Sequence, residues 1–402
     1  MADIVLEIHH INVGTGDSTL IVVRNTVLMR NCLTAKGIAP ANKYEMLKLA
    51  RENNIVLNGT VIQSVLIDAG NDSGKAKKIE TYLTDVGIDK INYILTSHYH
   101  RDHLGGYPYL LGKVSSAPNA RAYDRGDGKP GGKSDFKNYR DSLSGYTLVK
   151  ISVSVPPAPI TTSIDLGTGN NGQSIKLTCI AVDTAALDGT AVNGASNQND
   201  FGIAWLLRYG RFSYLTSGDL GGFDNGGYVD METPMIQQVN SQLGLNHICA
   251  FKLNHHGSEH SSNPYYLSLM KPKTAIISSG DRKYGNDYHP HPEVIEDLEA
   301  AQWDISSWIG SAAGTDMATN PLEKYYVTSL RKHLGDPRDQ IGKAGKGKIG
   351  GDIVITVDDT SIDTKSKYAI YCNGEKPGAG VVKNNDDMRK GSPACLDYYD
   401  CH

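Results

Sequence analysis

The sequence predicts an α/β chain of the α+β type, with sheets packed on one another and helices lying against them. Three observations predict it. Apolar runs rich in Val, Ile and Leu recur along the chain, helical i, i+3, i+4 patterns stand between several of them, and the strand runs share one way of ending. DST, LIDAG, LTSHYHRDH, LTSGDL, FKLNHHGS and ISSG each finish an apolar run with polar or ligand-grade side chains. Chemistry placed along one edge of packed sheets, in loops at strand ends, leaves this signature.

IVLEIHHINV (4–13) reads as the first strand, and TLIVV (19–23) returns after the turn GTGDS, which carries Asp17. Of His9 and His10, one is expected to be buried with its polar atoms satisfied. Residues 24–60 interrupt the pattern, and NKYEMLKLARE within them has the spacing of one inserted helix flanked by loops. SVLIDAG (64–70) resumes the strand pattern and stops at Asp68 and Gly70. KAKKIETYLTDVG (75–87) reads as a surface helix ended by Gly87, and INYILTS (91–97) as the strand that leads into SHYHRDHLGG.

Between 112 and 173 Gly, Ser, Pro and Asn predict long loops with one short helix near 134–143. In YDRGDGKPGGKSDFKNYR, lysines and arginines are interleaved with Tyr123, Phe136 and Tyr139. In a loop that pattern suits phosphate contact and base stacking, or plain solvation. SIKLTCIAV (174–182), FGIAWLLRYG (201–210) and RFSYLTSGD (211–219) read as strands, followed by AFKLNHHGS (250–258) and KTAIISSG (273–280) with a helix between them. PEVIEDLEAAQ (292–302) places Pro at its first helical position. GDIVITVD (351–358) and KYAIYC (367–372) form a closing hairpin, and 374–402 reads as a polar, loosely packed tail.

Composition bounds the function. With 39% hydrophobic and 21% charged residues the chain can bury a core, which excludes a disordered chain. A formal net charge of -4 leaves any nucleic-acid footprint to local patches. No window approaches the ~20 apolar residues of a membrane span, so no membrane association is expected. Acidic residues where a leader peptide would be basic predict a cytoplasmic address. The 6 cysteines lack CxxC spacing, which argues against a structural zinc knuckle, and Cys179 and Cys249 read as core. Cys372, Cys395 and Cys401 lie close together near the end, where a disulfide would form in an oxidising compartment.

Ligand-grade residues are densest at His98, His100, Asp102 and His103. Two apart in an extended segment, His98 and His100 point the same way and can pinch one ion, while Asp102 and His103 turn toward a second. A bridging carboxylate is expected later, and Asp219 at a strand end supplies it. Two ions roughly 3.5–4 Å apart sharing a hydroxide would clamp the attacked centre and the leaving oxygen, so the reaction class is metal-assisted hydrolysis with Asp102 among the catalytic residues. The late ligand is one of His255 and His256, since neighbours on an extended chain point opposite ways. Asp17 and Asp68 serve as ligands, as acceptors that orient a metal-bound imidazole, or as turn residues. His289 and His291 either face the site, as proton donor to the leaving group or contact to a substrate oxygen, or merely precede a helix.

HxHxDH after a strand, a later strand-terminal Asp and a final His resemble the metallo-β-lactamase superfamily. NVGTGDSTLI, VLIDAG, SHYHRDHLGG, YDRG, LLRYGRFSYLTSGDL, LNHHGS, IISSG and HPHPEV, in this order, are similar to the hydrolase domain of ComEC-type competence proteins and their soluble relatives. The resemblance covers about residues 4–372, with insertions near 24–60 and 305–350. It implies an αββα four-layer sandwich over 1–373, a binuclear metal centre and phosphodiester hydrolysis. Relatives similar to phosphorylcholine esterases act on phosphocholine-bearing polymers. Position by position it implies His98 and His100 at the first metal, Asp102 and His103 at the second, Asp219 as bridge, and one of His255 and His256 as terminal histidine.

One departure is informative. Where lactamases and glyoxalases carry a further histidine, this chain reads SNQNDFGIAW, so Asn199 or Asp200 takes its place. Zn2+ is the first expectation, and Mn2+ gains from the oxygen ligands. The function implied is a phosphodiesterase or nuclease acting on nucleic acid, a nucleotide or a phosphocholine-type diester. A β-lactamase or lactonase, and a metal-binding module without turnover, are the alternatives. ComEC itself carries membrane helices and this chain none, so DNA transport is not expected.

Overall fold

The computed structural model describes residues 3–128, 132–153, 158–169, 172–280, 289–329, 341, 345–358, 367–373 and 395–401. The chain opens as an antiparallel hairpin of β1 (Ile4–His10) and β2 (Thr19–Asn25). Asn25 caps α1 (Thr26–Thr34), its side chain accepting from the Leu28 N–H, and a short 3-10 turn then enters α2 (Met46–Glu52). The region 24–60 thus holds two helices where one was expected. TVLMRNCLT carries β-branched residues, and burial of Thr26, Met29 and Leu33 against the sheet settles it as helix.

β3 (Val61–Ile67) pairs antiparallel with β2. After α3 (Ser73–Asp85), β4 (Lys90–Leu95), β5 (Ser115–Asp124) and β6 (Thr147–Lys150) add in parallel. The short helices α4 (Arg101–Leu104) and α5 (Tyr107–Leu110) follow β4, and α6 (Lys133–Ser142) links β5 to β6. The expected loops of 112–173 are therefore corrected in part. SSAPNARAYD mixes polar residues and a proline into a strand whose pairing with β4 and β6 is set from afar.

The second half supplies β7 (Ser163–Thr168), β8 (Ser174–Val182), β9 (Ala185–Ala186), β10 (Ala204–Tyr209) and β11 (Phe212–Thr216), mutually antiparallel where they pair. α7 (Glu232–Leu243), β12 (Ala250–Lys252), α8 (Pro264–Met270), β13 (Thr274–Ile277) and α9 (Pro292–Glu299) come next, with β12 and β13 extending the sheet in parallel. A small ribbon of β14 (Gln302–Asp304) and β15 (Met317–Thr319) flanks α10 (Ser306–Ile309). β16 (Lys324–Val327) and β17 (Gly347–Ile349) then carry the parallel run to the sheet's edge. The chain finally returns to the first sheet as β18 (Ile353–Asp358), β19 (Lys367–Cys372) and β20 (Cys395–Asp400).

The first sheet runs β20-β19-β18-β1-β2-β3-β4-β5-β6, and the second β17-β16-β13-β12-β11-β10-β8-β7 with β9 beside β8. Strand alternation assigns the faces. Ile4, Leu6, Ile8, Ile21 and Val23 meet Leu177, Trp205, Leu207 and Tyr214 between the sheets. Val5, Leu20, Val22 and Leu66 pack outward against Met29, Leu47, Ile79 and Tyr107 of the helices. Leu206, Leu215 and Phe251 do the same against Met235, Ile236, Tyr266 and Leu298. Helices, sheet, sheet, helices is the αββα arrangement of mixed α and β structure.

Three sequence expectations meet the structure here. Both His9 and His10 are buried and paired: His9 lies 2.8 Å from the Tyr82 hydroxyl and 3.1 Å from Glu7, and His10 lies 3.2 Å from the Tyr214 hydroxyl. The end of the chain is not wholly a loose tail, because β20 pairs with β19, Tyr399 and Cys401 are buried, and Cys372 is disulfide-bonded to Cys395. Residues 374–394 of that tail lie outside the described residues. Among the described residues no helix is long and apolar enough to cross a membrane.

Candidate metal centre

The polar strand ends converge. Asp68 lies just past β3, His98 past β4, Asp219 past β11 and His255 and His256 past β12, so the carboxyl ends of parallel strands from both sheets face one another. Crevices of this kind are where open α/β sheets bind ligands. Asp17, in the β1–β2 turn, joins them through its N–H, which donates to the Asp102 carbonyl (3.2 Å).

The two glycines after the histidine run let α4 and α5 lie on the β3 end. A Cβ on Gly106 would stand 1.9 Å from the Ala69 carbonyl oxygen, and one on Gly105 2.1 Å from that of Asn71. Backbone bonds close this seam, Ala69 N–H to the His103 carbonyl at 2.7 Å and Gly106 N–H to that of Gly70 at 3.0 Å. Gly218, at φ +58, presents the next ligand: a Cβ there would meet that of Ser97 at 2.7 Å.

One side of the centre is built from His103, His256, Asp102 and Asp219. His103 Nδ1 is 2.8 Å from Asp68 Oδ2, which leaves Nε2 facing Asp219 Oδ2 at 3.1 Å. His256 repeats the scheme, its Nδ1 bonded to the Ser278 carbonyl (2.9 Å) and its Nε2 facing Asp102 Oδ2 at 3.4 Å and Asp219 Oδ2 at 3.3 Å. An imidazole whose Nδ1–H is held from behind offers Nε2 to a metal in the right tautomer. Ser97 completes the support, its N–H and hydroxyl donating to Asp68 at 2.8 and 2.6 Å.

Asp17, His103, Asp219 and His256, all buried, bring ligand atoms within 4.8 Å of one another. Asp17 approaches from the Nδ1 side, 3.4 Å from His256 and 3.8 Å from His103. It already faces a cation, the Lys252 ammonium at 2.6 Å, which also donates to the carbonyls of Gly218 and Leu253, each at 3.0 Å. Nothing in FKLNHHGS marks Lys252 for this buried role. Its partners come from three separate strand ends.

The other side holds His98 and His100, with His98 Nε2 and His100 Nδ1 3.0 Å apart and His98 Nε2 3.9 Å from Asp219 Oδ2. Asn199 stands beside His100, with which it shares a hydrogen bond, and its Nδ2 lies 3.3 Å from His255 Nε2. Asp200 turns away: it is buried, accepts from the Val229 N–H at 3.2 Å, and burial pushes its carboxyl up to about 7. His289 stacks on His256 and stands edge-on to His255, at centroid distances of 6.1 and 5.5 Å. His291 caps α9 and lies 3.6 Å from Glu259.

One of His255 and His256 is the expected ligand, and on an extended chain their side chains would point opposite ways. Here both residues have left-handed backbone, φ 47 and 55, so their rings diverge as on a turn and both face inward. Each such residue costs about 1–3 kcal/mol. The turn is braced by Glu232, the first residue of α7, which accepts from the Asn254 side chain and the Ser262 N–H, each at 2.7 Å, and from the Asn263 N–H at 3.0 Å. Nothing in METPM signals that role.

Electrostatics divide the centre. Burial would push Asp219 up, but His103 and His256 hold its carboxyl well below the usual range, and Asp102 is lowered to about 2 against the same burial by His103 and His256. Burial would lower His103, yet Asp219, Asp102 and Asp68 hold it well above an ordinary imidazole. His98, by burial and the neighbouring His103, and His100, by burial, are lowered and stay neutral. Clustered carboxylates that demand positive charge beside neutral imidazoles fit divalent cations. Asp219 Oδ1 is buried with no hydrogen-bond partner among the described residues, a ready acceptor for such an ion.

The basic and aromatic stretch 123–140 does not present its rings for stacking. Tyr123 and Tyr139 are buried, Phe136 packs against Tyr99, and Arg140 pairs with Asp124 and Asp127. Arg125 lies 4.5 Å over the Tyr99 ring and pairs with Asp183.

Residues 54–178 match the family model of the metallo-beta-lactamase superfamily, and the match contains the HxHxDH run. With the αββα arrangement, it bears out over that stretch the resemblance to the metallo-beta-lactamase superfamily. Over 109 residues, 27% of this chain, it is 30% identical to "ComE operon protein 3" of Bacillus subtilis (strain 168), and the match covers 12% of that protein's length. Solved structures similar to it include a metal-dependent hydrolase of the beta-lactamase superfamily (14% identity, 73% of this chain and 92% of that one, TM-score 0.38). A diphosphatase from the PhnP family is another (15% identity, 54% and 68%, TM-score 0.26).

Proposed function

We propose that the chain is a binuclear metal-dependent phosphodiesterase. The observation that carries this reading is the meeting of two ligand sets at one carboxylate, Asp219, with Asn199 standing where a third histidine would complete a lactamase-type first site. His98, His100 and Asp219 would hold one divalent ion, Asp102, His103, His256 and Asp219 the other, with Zn2+ as the first choice and Mn2+ as the second. Bound there, the pair would supply Lewis-acid charge to a phosphoryl group and acidify a water molecule.

The chain's own residues do the rest. Asp68 and the Ser278 carbonyl fix the rings of His103 and His256, Lys252 keeps Asp17 charged and in place, and Glu232 holds the HHGS turn. Burial of these groups keeps bulk water from the ligand atoms. His289, facing the pair His255 and His256, would be the proton donor to a leaving group, and His291 is set back at the start of α9.

Nucleic acid, nucleotides and phosphocholine diesters remain the substrate classes, and the buried aromatics of 123–140 take away one argument for nucleic acid. The test is turnover of bis-p-nitrophenyl phosphate beside nitrocefin and a lactone, with zinc and with manganese. Hydrolysis of the phosphodiester alone supports the reading; nitrocefin or lactone turnover without it overturns it. Two bound ions with turnover of none of them would instead favour a binding module.

A further inference from the structure

We propose that His255 is a catalytic residue that donates a hydrogen bond from Nδ1–H to a non-bridging oxygen of the substrate's phosphoryl group, on the His98–His100 side of the centre. The proposal rests on the phosphodiesterase reading above.

Three observations carry it. The first is position. His256 faces both Asp102 and Asp219 through Nε2, whereas His255 makes no ion-pair contact with either among the described residues. Its ring instead touches Asn199 and stands between Tyr228 and His289, at centroid distances of 5.6 and 5.5 Å. It therefore belongs to the wall beside the ion positions and not to their ligand set.

The second is the proton. Asn199 Nδ2–H points at His255 Nε2 from 3.3 Å, so Nε2 accepts and the neutral ring keeps its hydrogen on Nδ1. That Nδ1 is buried and has no hydrogen-bond partner among the described residues. A fixed donor with nothing to bond among the described residues is what a phosphoryl oxygen would satisfy. Asn199, in the place of a metal-binding histidine, would then act by setting the tautomer of its neighbour.

The third is the backbone. His255 sits at φ 47 and ψ 42, where glycine is at ease and a large side chain is not. Its N–H donates to the Gly218 carbonyl at 3.1 Å and its carbonyl accepts from the Ser258 N–H at 2.8 Å, bonds that glycine would keep. A ring held at such a position, at the cost of backbone strain, points to work that a bare backbone could not do.

The experiment compares wild type, His255→Gly and His255→Asn, each loaded with zinc, for bound metal by atomic absorption, for melting temperature, and for binding of inorganic phosphate by calorimetry. His255→Gly should keep two ions and an undiminished melting temperature while binding phosphate at least tenfold more weakly. His255→Asn, which tolerates left-handed backbone and carries an amide donor, should recover part of that loss. Retained phosphate affinity in His255→Gly overturns the proposal. So does loss of one ion, which would make His255 a ligand, and so does a zinc-loaded wild type that binds no phosphate. His255-dependent phosphate binding in a protein that cleaves no phosphodiester would instead sink the function and leave this assignment standing.

Discussion

Replacing Asp68 by Asn removes one oxygen acceptor and should weaken metal binding without touching a ligand. Asp68 accepts three hydrogen bonds, from the Ser97 N–H (2.8 Å), the Ser97 hydroxyl (2.6 Å) and His103 Nδ1–H (2.8 Å). An amide has one oxygen, so its NH2 must confront either the Ser97 N–H, which cannot turn, or His103 Nδ1–H. With the amide oxygen kept by Ser97, the relief open to His103 is to move its proton to Nε2, the nitrogen 3.1 Å from Asp219 that would bind the ion. Loss of such a support costs about 10–100-fold in metal affinity, roughly 1.4–2.7 kcal/mol. Competition with a zinc chelator measures it directly, and circular dichroism checks the fold. Unchanged zinc affinity in a folded Asp68→Asn protein would refute the orienting role of Asp68.

Chelation of metal should lower the melting temperature by several degrees, and zinc at 100-fold over its dissociation constant should restore about 2.7 kcal/mol; a melting curve indifferent to metal would count against the centre. Gly106→Ala, whose Cβ would fall 1.9 Å from a backbone oxygen, should cost about 3 kcal/mol by denaturant titration. Gly112→Ala, with its nearest neighbour at 3.4 Å, should be far milder, and equal losses would contradict the packing described. Glu7 is buried, which opposes its charge, yet Arg24 and His9 lower it from 4.5 to about 2. A depressed acid gives stability that is full above 4.5 and lost as pH falls through about 2, here about 3 kcal/mol. Glu7→Gln should flatten the fall in unfolding free energy between pH 5 and pH 2, and parallel curves for the two proteins would argue otherwise.

Local patterns made most strands legible. SIKLTCIAV became β8 with the same ends, and the hairpin around Asp17 formed as its turn residues indicated. Where the pattern failed, long-range pairing had decided. β5 holds Pro118 and Asn119 and reads as loop, but β4 and β6 on either side fix it as a strand. The last strand, CLDYYD, reads as tail until β19 offers it an edge. Conversely, Tyr123 and Tyr139 look available in sequence and are core in space, because which face of a strand or helix meets solvent is set by what packs on it.

At the centre, the kinds of side chain and their nearness along the chain are legible in the letters alone: His98, His100, Asp102 and His103 lie within one strand end, and no fold is needed to see that they could hold metal. Which remote groups answer them follows from long-range packing. Asp219, His256, Asp68 and Lys252 come from other strand ends, and their distances from the histidines depend on how two sheets stack. The pair His255 and His256 shows the difference most sharply. An extended dipeptide would send one ring away, but bonds to Gly218 and the Glu232 brace hold both residues in a left-handed turn, and a backbone torsion paid for by distant contacts is not written in the two letters HH.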